Sequence, residues 1–130
     1  MKLVIDTNVL LAGILVSGTC RVLLRGRALA NEWYTSPPLL AELAEKLKGK
    51  LGLQPERTPL YLVYCRRAQS VAPAVLPAPV CRDPDDDVVI ATAIAAEADL
   101  IITGDKDLCV LKKHQGIRIR TPREFLDSGR

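Results

Sequence analysis

The chain has 130 residues, of which 48% are hydrophobic, 25% charged and 4% aromatic, and its formal net charge is +3. This composition favours one globular domain with an aliphatic core, and four cysteines without a CxxC pair, beside a single histidine, argue against a zinc site. No run approaches the roughly 20 apolar residues that span a bilayer, and Asp6 interrupts the apolar start. We therefore expect a cytoplasmic protein with reduced cysteines and no membrane contact.

Buried strands alternate with helices along the chain. Strands are predicted at 2–5, at 33–35, near 71, at 100–103 and at 117–120. Helices are predicted up to about 15, over 19–30, 37–49 and 55–69, from the aspartates at 83–87 to about 98, within 104–114 and at 122–127. Ser36 is expected to cap the third helix and Gly49 to end it. The alternation predicts an α/β fold, a three-layer α/β/α sandwich with a central, mainly parallel sheet.

Two aspartates directly follow predicted strands. Asp6 comes after the strand at 2–5, and Asp105 lies just past the strand at 100–103. In a parallel α/β sheet, binding sites lie beyond the carboxyl ends of the strands, so both side chains are candidates for one site. An aspartate at a strand end also caps helices and makes turns, so the assignment depends on further acids.

The helix after the run of aspartates has one of them in phase with its apolar face. At about 100° per residue, that face is shared by Asp87, Ile90, Ala91 and Ile94. Asp85 points to the other side of the helix, and Asp86 lies between these two directions. The helix dipole explains acids in a first turn, but it does not explain why one of them faces the core. We therefore favour Asp87.

Glu42 lies on the flank of the leucine stripe of the third helix. It could border a cleft there, or it could form a surface pair with Lys46 at i+4, and the helical phase does not decide between the two. Glu45 lies opposite the stripe and is expected in solvent.

Converging carboxylates stay ionised together only when cations lie between them. Oxygen ligands without histidine or cysteine select Mg²⁺ or Mn²⁺, and such a site suits phosphoryl chemistry because the metal activates water and neutralises phosphate charge. Scattered basic residues, among them Lys46 and Lys48, are candidates for phosphate contacts, although solvation is the better explanation for any single one of them.

Four segments, at 5–10, 36–43, 83–93 and 102–108, resemble the motifs of the PIN-domain family in order and spacing. Their form is most similar to bacterial and archaeal VapC-like proteins described as toxin components of toxin–antitoxin pairs. The resemblance implies a single PIN-like nuclease domain over residues 1–130. It also implies Mg²⁺ or Mn²⁺ as the cofactor.

The resemblance also implies a role for each motif residue. The catalytic acids and metal ligands would be Asp6, Glu42, Asp87 and Asp105, and Asp107 would join through water. Supporting hydrogen bonds would come from Asn8 and Thr103, and Asp86 would stand in the same supporting position. The three adjacent aspartates at 85–87 leave an ambiguity, which the spacing to Asp105 and the helical phase resolve in favour of Asp87.

By the same resemblance, the activity would be endonucleolytic cleavage of single-stranded RNA by metal-activated water. The chain would be the toxin of a pair, would form a homodimer, and would be inhibited by a cognate antitoxin that covers the site. Residues 51–80 match no motif from which a role can be predicted.

Three alternatives remain open from the sequence. A phosphatase of the haloacid-dehalogenase type also has an aspartate after its first strand, but it needs a second one two residues later, where this chain has Asn8. A catalytically silent RNA-binding or assembly module would have lost part of the acid set, which is complete here. A DNA-directed nuclease is the third alternative, because no residue pattern reads a 2′-hydroxyl.

Overall fold

The computed structural model describes residues 1–16 and 18–128, without the side chains of Arg27, Leu29 and Ser128. Its strands are β1 (Lys2–Ile5), β2 (Glu32–Thr35), β3 (Ala68–Ser70), β4 (Leu100–Ile102), β5 (Lys113–His114) and β6 (Ile117–Arg120). Its α-helices are α1 (Thr7–Leu15), α2 (Thr19–Arg25), α3 (Pro37–Leu51), α4 (Pro59–Arg67), α5 (Pro84–Ala96), α6 (Lys106–Cys109) and α7 (Pro122–Ser128). Short 3-10 helices cover Arg27–Ala30 and Pro55–Arg57.

The six strands form one sheet in the order β3-β2-β1-β4-β6-β5. The strand β5 runs antiparallel to β6, and the other four pairings among the described strands are parallel. The chain builds outward from β1 to β3 and then crosses to β4 on the other side of β1. The strand order therefore reverses between β1 and β4, where ligand sites of such sheets lie. The mainly parallel sheet of an α/β/α sandwich, predicted from the alternation of elements, is confirmed.

Each face of the sheet carries its own apolar core. Leu3 and Ile5 belong to the core formed with α1, α2, α3, α4 and α7. Val4 and Ile101 belong to the second core, where α5 and α6 pack. Successive side chains of a strand point to opposite faces, so a strand between two helical layers needs apolar residues at every position. The continuous apolar runs in the sequence have this origin.

Several element boundaries differ from the sequence expectations for local reasons. The helix predicted over 19–30 is wrong beyond Arg25, because α2 ends there and a 3-10 helix follows Gly26. The helix α3 continues past Gly49 and ends at Gly52, whose φ of 62° lies in the left-handed region that glycine adopts freely. The strand expected near 71 lies at Ala68–Ser70, and the two-residue strand β5 was not predicted.

Ser36 precedes α3 but does not cap it with its side chain. Its Oγ lies 2.8 Å from Oγ1 of Thr92 on α5, and both residues are buried. The Thr92 hydroxyl donates to the carbonyl oxygen of Val88 at 2.8 Å, so Ser36 donates to Thr92. The capping role expected of the Ser36 side chain is therefore wrong, because its hydroxyl links α3 to α5 instead.

Within the described residues, no single helix has the length and apolar character needed to cross a membrane. Helices α1 and α2 reach the length and composition of a membrane span only when taken together, with a bend of 99° between them.

The four cysteines form no disulfide, and their thiols are free.

We expect Gly13→Ala and Gly49→Ala to change stability in opposite directions. Both glycines lie inside helices, where alanine is favoured by about 1 kcal/mol. A Cβ at Gly49 meets no atom within 4 Å, whereas a Cβ at Gly13 collides with Cδ1 of the buried Leu24. In urea unfolding, Gly49→Ala should raise the free energy of unfolding by about 0.5–1 kcal/mol, and Gly13→Ala should lower it by about 1 kcal/mol. Equal stabilities of the two variants would contradict the close packing of α1 on α2.

Candidate acidic metal site

The register between β1 and β4 brings Asp6 and Thr103 together. Ile5 pairs with Ile102 in parallel strands, and the Asp6 amide donates to the Ile102 carbonyl at 2.9 Å. The next residues along both strands are therefore neighbours, and the Thr103 hydroxyl donates to Oδ2 of Asp6 at 2.7 Å. Asp6 is only 5% exposed and Thr103 is fully buried, so this hydrogen bond fixes the carboxylate within the sheet edge.

Thr103 also holds the segment that carries Asp105. Its Oγ1 accepts a hydrogen bond from the Asp105 amide at 3.0 Å, while its own amide donates to the Arg120 carbonyl on β6 at 2.9 Å. Oδ1 of Asp105 accepts from the amides of Asp107 at 2.8 Å and Leu108 at 3.3 Å, at the start of α6. One buried hydroxyl thus bridges the acids that follow β1 and β4.

Three carboxylates, including that of Asp105, converge beside this edge. Oxygen atoms of Asp86, Asp105 and Asp107 all lie within 4.8 Å of one another, and the three side chains are half-buried. Asp86 comes from the first turn of α5, and the other two come from the segment after β4. We call these three residues, together with Asp6, the acidic cluster.

Burial and mutual repulsion raise the pKa values of two members of the acidic cluster, Asp86 and Asp6. Burial, followed by the charge of Asp105, raises the pKa of Asp86 to about 6. Burial also raises the pKa of Asp6; the Thr103 hydrogen bond opposes this rise, and the charges of Glu42 and Asp105 increase it. A cation bound between these groups would relieve both effects.

Asp87, the acid favoured by the helical phase, lies outside the acidic cluster. Its Oδ1 accepts hydrogen bonds from the amides of Cys81 at 2.8 Å and Val80 at 3.2 Å, which tie the loop after β3 to α5. Helical phase does not separate the three adjacent aspartates, because α5 is enclosed on most sides and has no single apolar stripe. Its buried residues are Val89, Ile90, Ala91, Thr92, Ala93 and Ala96. The acid of the third motif that meets the others is Asp86.

Glu42, on α3, lies beside Lys46. Nζ of Lys46 lies 3.6 Å from Oε2 of Glu42 and donates to Oδ1 of Asn8 at 3.1 Å. The i+4 pair with Lys46 therefore forms, and the Glu42 charge also contributes to the raised pKa of Asp6; the role of Glu42 at a cleft stays a prediction. The Asn8 side chain accepts this hydrogen bond through Oδ1, and its role in orienting a carboxylate or bound water stays a prediction.

A second cation at the site, Arg82, was not predicted from the sequence. Its Nη2 donates to Oδ1 of Asp107 at 2.8 Å. Arg82 lies in the loop after β3, a proline-rich segment without helical or strand periodicity, so no pattern placed its side chain. Asp107, expected to join the metal site through water, lies within the group of three close carboxylates.

The acidic cluster fits a hard divalent cation. It offers carboxylate oxygens from Asp86, Asp105 and Asp107 within one coordination sphere's reach, and the repulsion among them favours a cation. Oxygen ligands without imidazole or thiolate suit Mg²⁺, Mn²⁺ or Ca²⁺ better than zinc.

A family model described as PIN domain matches residues 2–107 of the chain. The match includes every member of the acidic cluster and Glu42, and it ends before β5, β6 and α7. No curated protein matches the chain.

We expect Asp86→Asn to be more stable than Asp85→Asn when no metal is present. Both variants lose one charge from the first turn of α5, but Asp85 is exposed and only Asp86 belongs to the acidic cluster. The pKa of Asp86 is raised, so the contribution of this carboxyl group to stability is complete below its ordinary pKa of 3.8 and is lost as the pH rises through about 6. In urea with EDTA, the gain from Asp86→Asn should be about 1 kcal/mol at pH 8 after allowing for solvent screening, and absent at pH 4. A gain independent of pH would contradict the repulsion.

Asp87→Asn is expected to destabilise the loop after β3 without removing a metal ligand. Replacement of the carboxylate weakens the charge-assisted bonds to the Val80 and Cys81 amides, which should lower the free energy of unfolding by about 1 kcal/mol. Hydrogen exchange of these two amides should accelerate, while Mn²⁺ affinity measured by calorimetry stays within about threefold of the unsubstituted protein. Complete loss of Mn²⁺ binding would instead return Asp87 to the ligand set.

Proposed function

Because the chain belongs to the PIN-domain family, we propose that it is a metal-dependent nuclease. Members of this family are usually nucleases, and the site has the acids that such chemistry requires. The observation that carries the proposal is the convergence of Asp86, Asp105 and Asp107, beside the buried Asp6, where the strand order reverses. A fold alone does not establish a function, but this set of residues provides a physical reason for one.

We assign the metal to Mg²⁺ or Mn²⁺ held by the acidic cluster. When bound, such a cation supplies an activated water and neutralises charge on a phosphodiester. The residues of the chain orient the carboxylates that would hold the cation. Thr103 keeps the Asp6 carboxylate aimed from the sheet edge, the amides of Asp107 and Leu108 orient Asp105, and Asp86 takes the place predicted for Asp87.

Glu42 serves as the acid on the opposite flank in this proposal. Its helix α3 follows β2, whereas Asp105 and Asp107 follow β4, and β1 with Asp6 lies between them. Lys46 contacts both Glu42 and Asn8, which ties the Glu42 side chain to the start of α1, close to Asp6. In this proposal the acids of the four motifs act together, although Glu42 is not among the three that lie within ligand distance of one another.

The substrate and biological setting that we propose rest on the resemblance of the four motifs to VapC-like proteins. The substrate is single-stranded RNA, cut endonucleolytically, and the protein is the toxin of a toxin–antitoxin pair. A homodimer and a cognate antitoxin that covers the site complete the proposal.

The proposal predicts metal-dependent cleavage that requires Asp6 and Asp86. A labelled single-stranded RNA should be cut with Mg²⁺ or Mn²⁺ and remain intact with EDTA. Asp6→Asn and Asp86→Asn should each lower the rate by about 100-fold or more, because each removes an acid that holds the metal. The neighbouring Asp85→Asn is the matched control and should keep full activity, and Asp87→Asn should keep activity within about tenfold. A single-stranded DNA of the same sequence tests the preference for RNA.

Full activity of Asp86→Asn would remove that residue from the site, and cleavage in EDTA would refute metal dependence. RNA binding without cleavage under any metal would favour the catalytically silent module.

A further inference from the structure

Arg82 contacts the acidic cluster while remaining in solvent. Its Nη2 lies 2.8 Å from Oδ1 of Asp107, yet 87% of the Arg82 side chain is exposed, compared with 38% for Asp107. An exposed ion pair of this kind is weak because water screens the charges and long side chains lose freedom in forming it. The guanidinium therefore lies beside the acids without being fixed there.

The backbone around Arg82 is held on both sides. The residues before it, Val80 and Cys81, donate their amides to the Asp87 carboxylate. The residue after it, Asp83, caps α5 by accepting a hydrogen bond from the Asp85 amide at 2.9 Å. These two anchors fix the point from which the Arg82 side chain extends, and they leave its guanidinium free to change partner. This arrangement also gives Asp87 a role that is distinct from metal binding.

Lys46, the other cation at the site, is differently placed. Its side chain is 25% exposed and contacts both Glu42 and Asn8, so it has less freedom to leave its partners. Arginine also presents a planar fork of donors that matches a phosphate with two parallel hydrogen bonds, which lysine lacks. Of these two cations, Arg82 is the one suited to a ligand that arrives from solvent.

We propose that Arg82 binds a phosphate of the nucleic-acid strand and thereby positions that strand at the acidic cluster. In the free protein its guanidinium rests on Asp107, and when a divalent cation engages Asp107 the guanidinium transfers to the incoming phosphate. This inference rests on the proposed nuclease function and adds the residue that holds the substrate backbone. The same exchange implies that Arg82 competes with the metal for Asp107.

The proposal predicts opposite effects of Arg82→Gln on two ligands. The loss of a phosphate contact should raise the Kd for a short single-stranded RNA about tenfold, and the slope of log K against log salt should fall by about 0.7. The loss of a competing cation should tighten Mn²⁺ binding by about two- to fivefold. If Arg82 had only a structural role, Arg82→Gln would weaken the binding of both RNA and Mn²⁺ or lower stability. Weaker RNA binding together with tighter Mn²⁺ binding is therefore specific to the proposed exchange.

The experiment measures RNA binding by fluorescence anisotropy in Ca²⁺ across a salt series, with strand integrity checked on a gel, and Mn²⁺ binding by calorimetry without RNA. Arg82→Lys should recover the salt slope but only part of the affinity, because lysine keeps the charge without the fork. The matched control is Arg118→Gln, because Arg118 is an exposed arginine near Met1, at the end of the sheet away from the acidic cluster. The RNA affinity and salt slope of this variant should equal those of the unsubstituted protein.

If the unsubstituted protein cleaves RNA and Arg82→Gln has the same RNA affinity and salt slope as that protein, the inference is wrong and the nuclease proposal still stands. Weaker binding of RNA and Mn²⁺ together would also overturn it, because Arg82 would then only support the loop. A wild-type protein that neither binds nor cleaves RNA would overturn both proposals.

Discussion

The parallel pairing of β1 with β4 is the contact on which the site depends. It places Asp6 beside Thr103, one residue past the Ile5–Ile102 pair, at an edge where the carboxylate is nearly removed from solvent. A carboxylate in that position is costly unless donors or cations compensate it. The Thr103 hydroxyl compensates part of that cost by donating a hydrogen bond to the carboxylate. The neighbouring acids add negative charge, and the nearby cations Lys46 and Arg82 contact only Asn8, Glu42 and Asp107.

The sequence predicted those parts of the fold that depend on strong periodicity. Continuous apolar runs identified β1 and β4, and the residues that follow them identified Asp6, Thr103 and Asp105, because the carboxyl ends of parallel strands share one edge. The edge strand β3 has the sequence Ala68-Gln69-Ser70, which carries no apolar alternation, so its position was misjudged. The helix ends at Gly26 and Gly52 depended on local backbone conformations that residue type alone does not determine.

The choice between adjacent aspartates was beyond the reach of the pattern. Helical phase identifies an inward side chain only when a helix has one apolar stripe, and α5 contacts neighbours around most of its circumference. Asp85, Asp86 and Asp87 consequently differ through their tertiary partners: solvent, the other acids, and the amides of the preceding loop. The position of Arg82 could not be predicted either, because it depends on how Asp87 and Asp83 hold the backbone on both sides of it.

The hydrogen bond from the Thr103 amide to the Arg120 carbonyl has a consequence for the timing of synthesis. Thr103 is held in the sheet by a strand, β6, that lies near the end of the chain and beyond the region matched by the family model. A ribosome must therefore translate the chain as far as Arg120 before β4 gains its second neighbour. During translation, the nascent chain therefore carries every member of the acidic cluster before the strand that holds Thr103 in the sheet has been made.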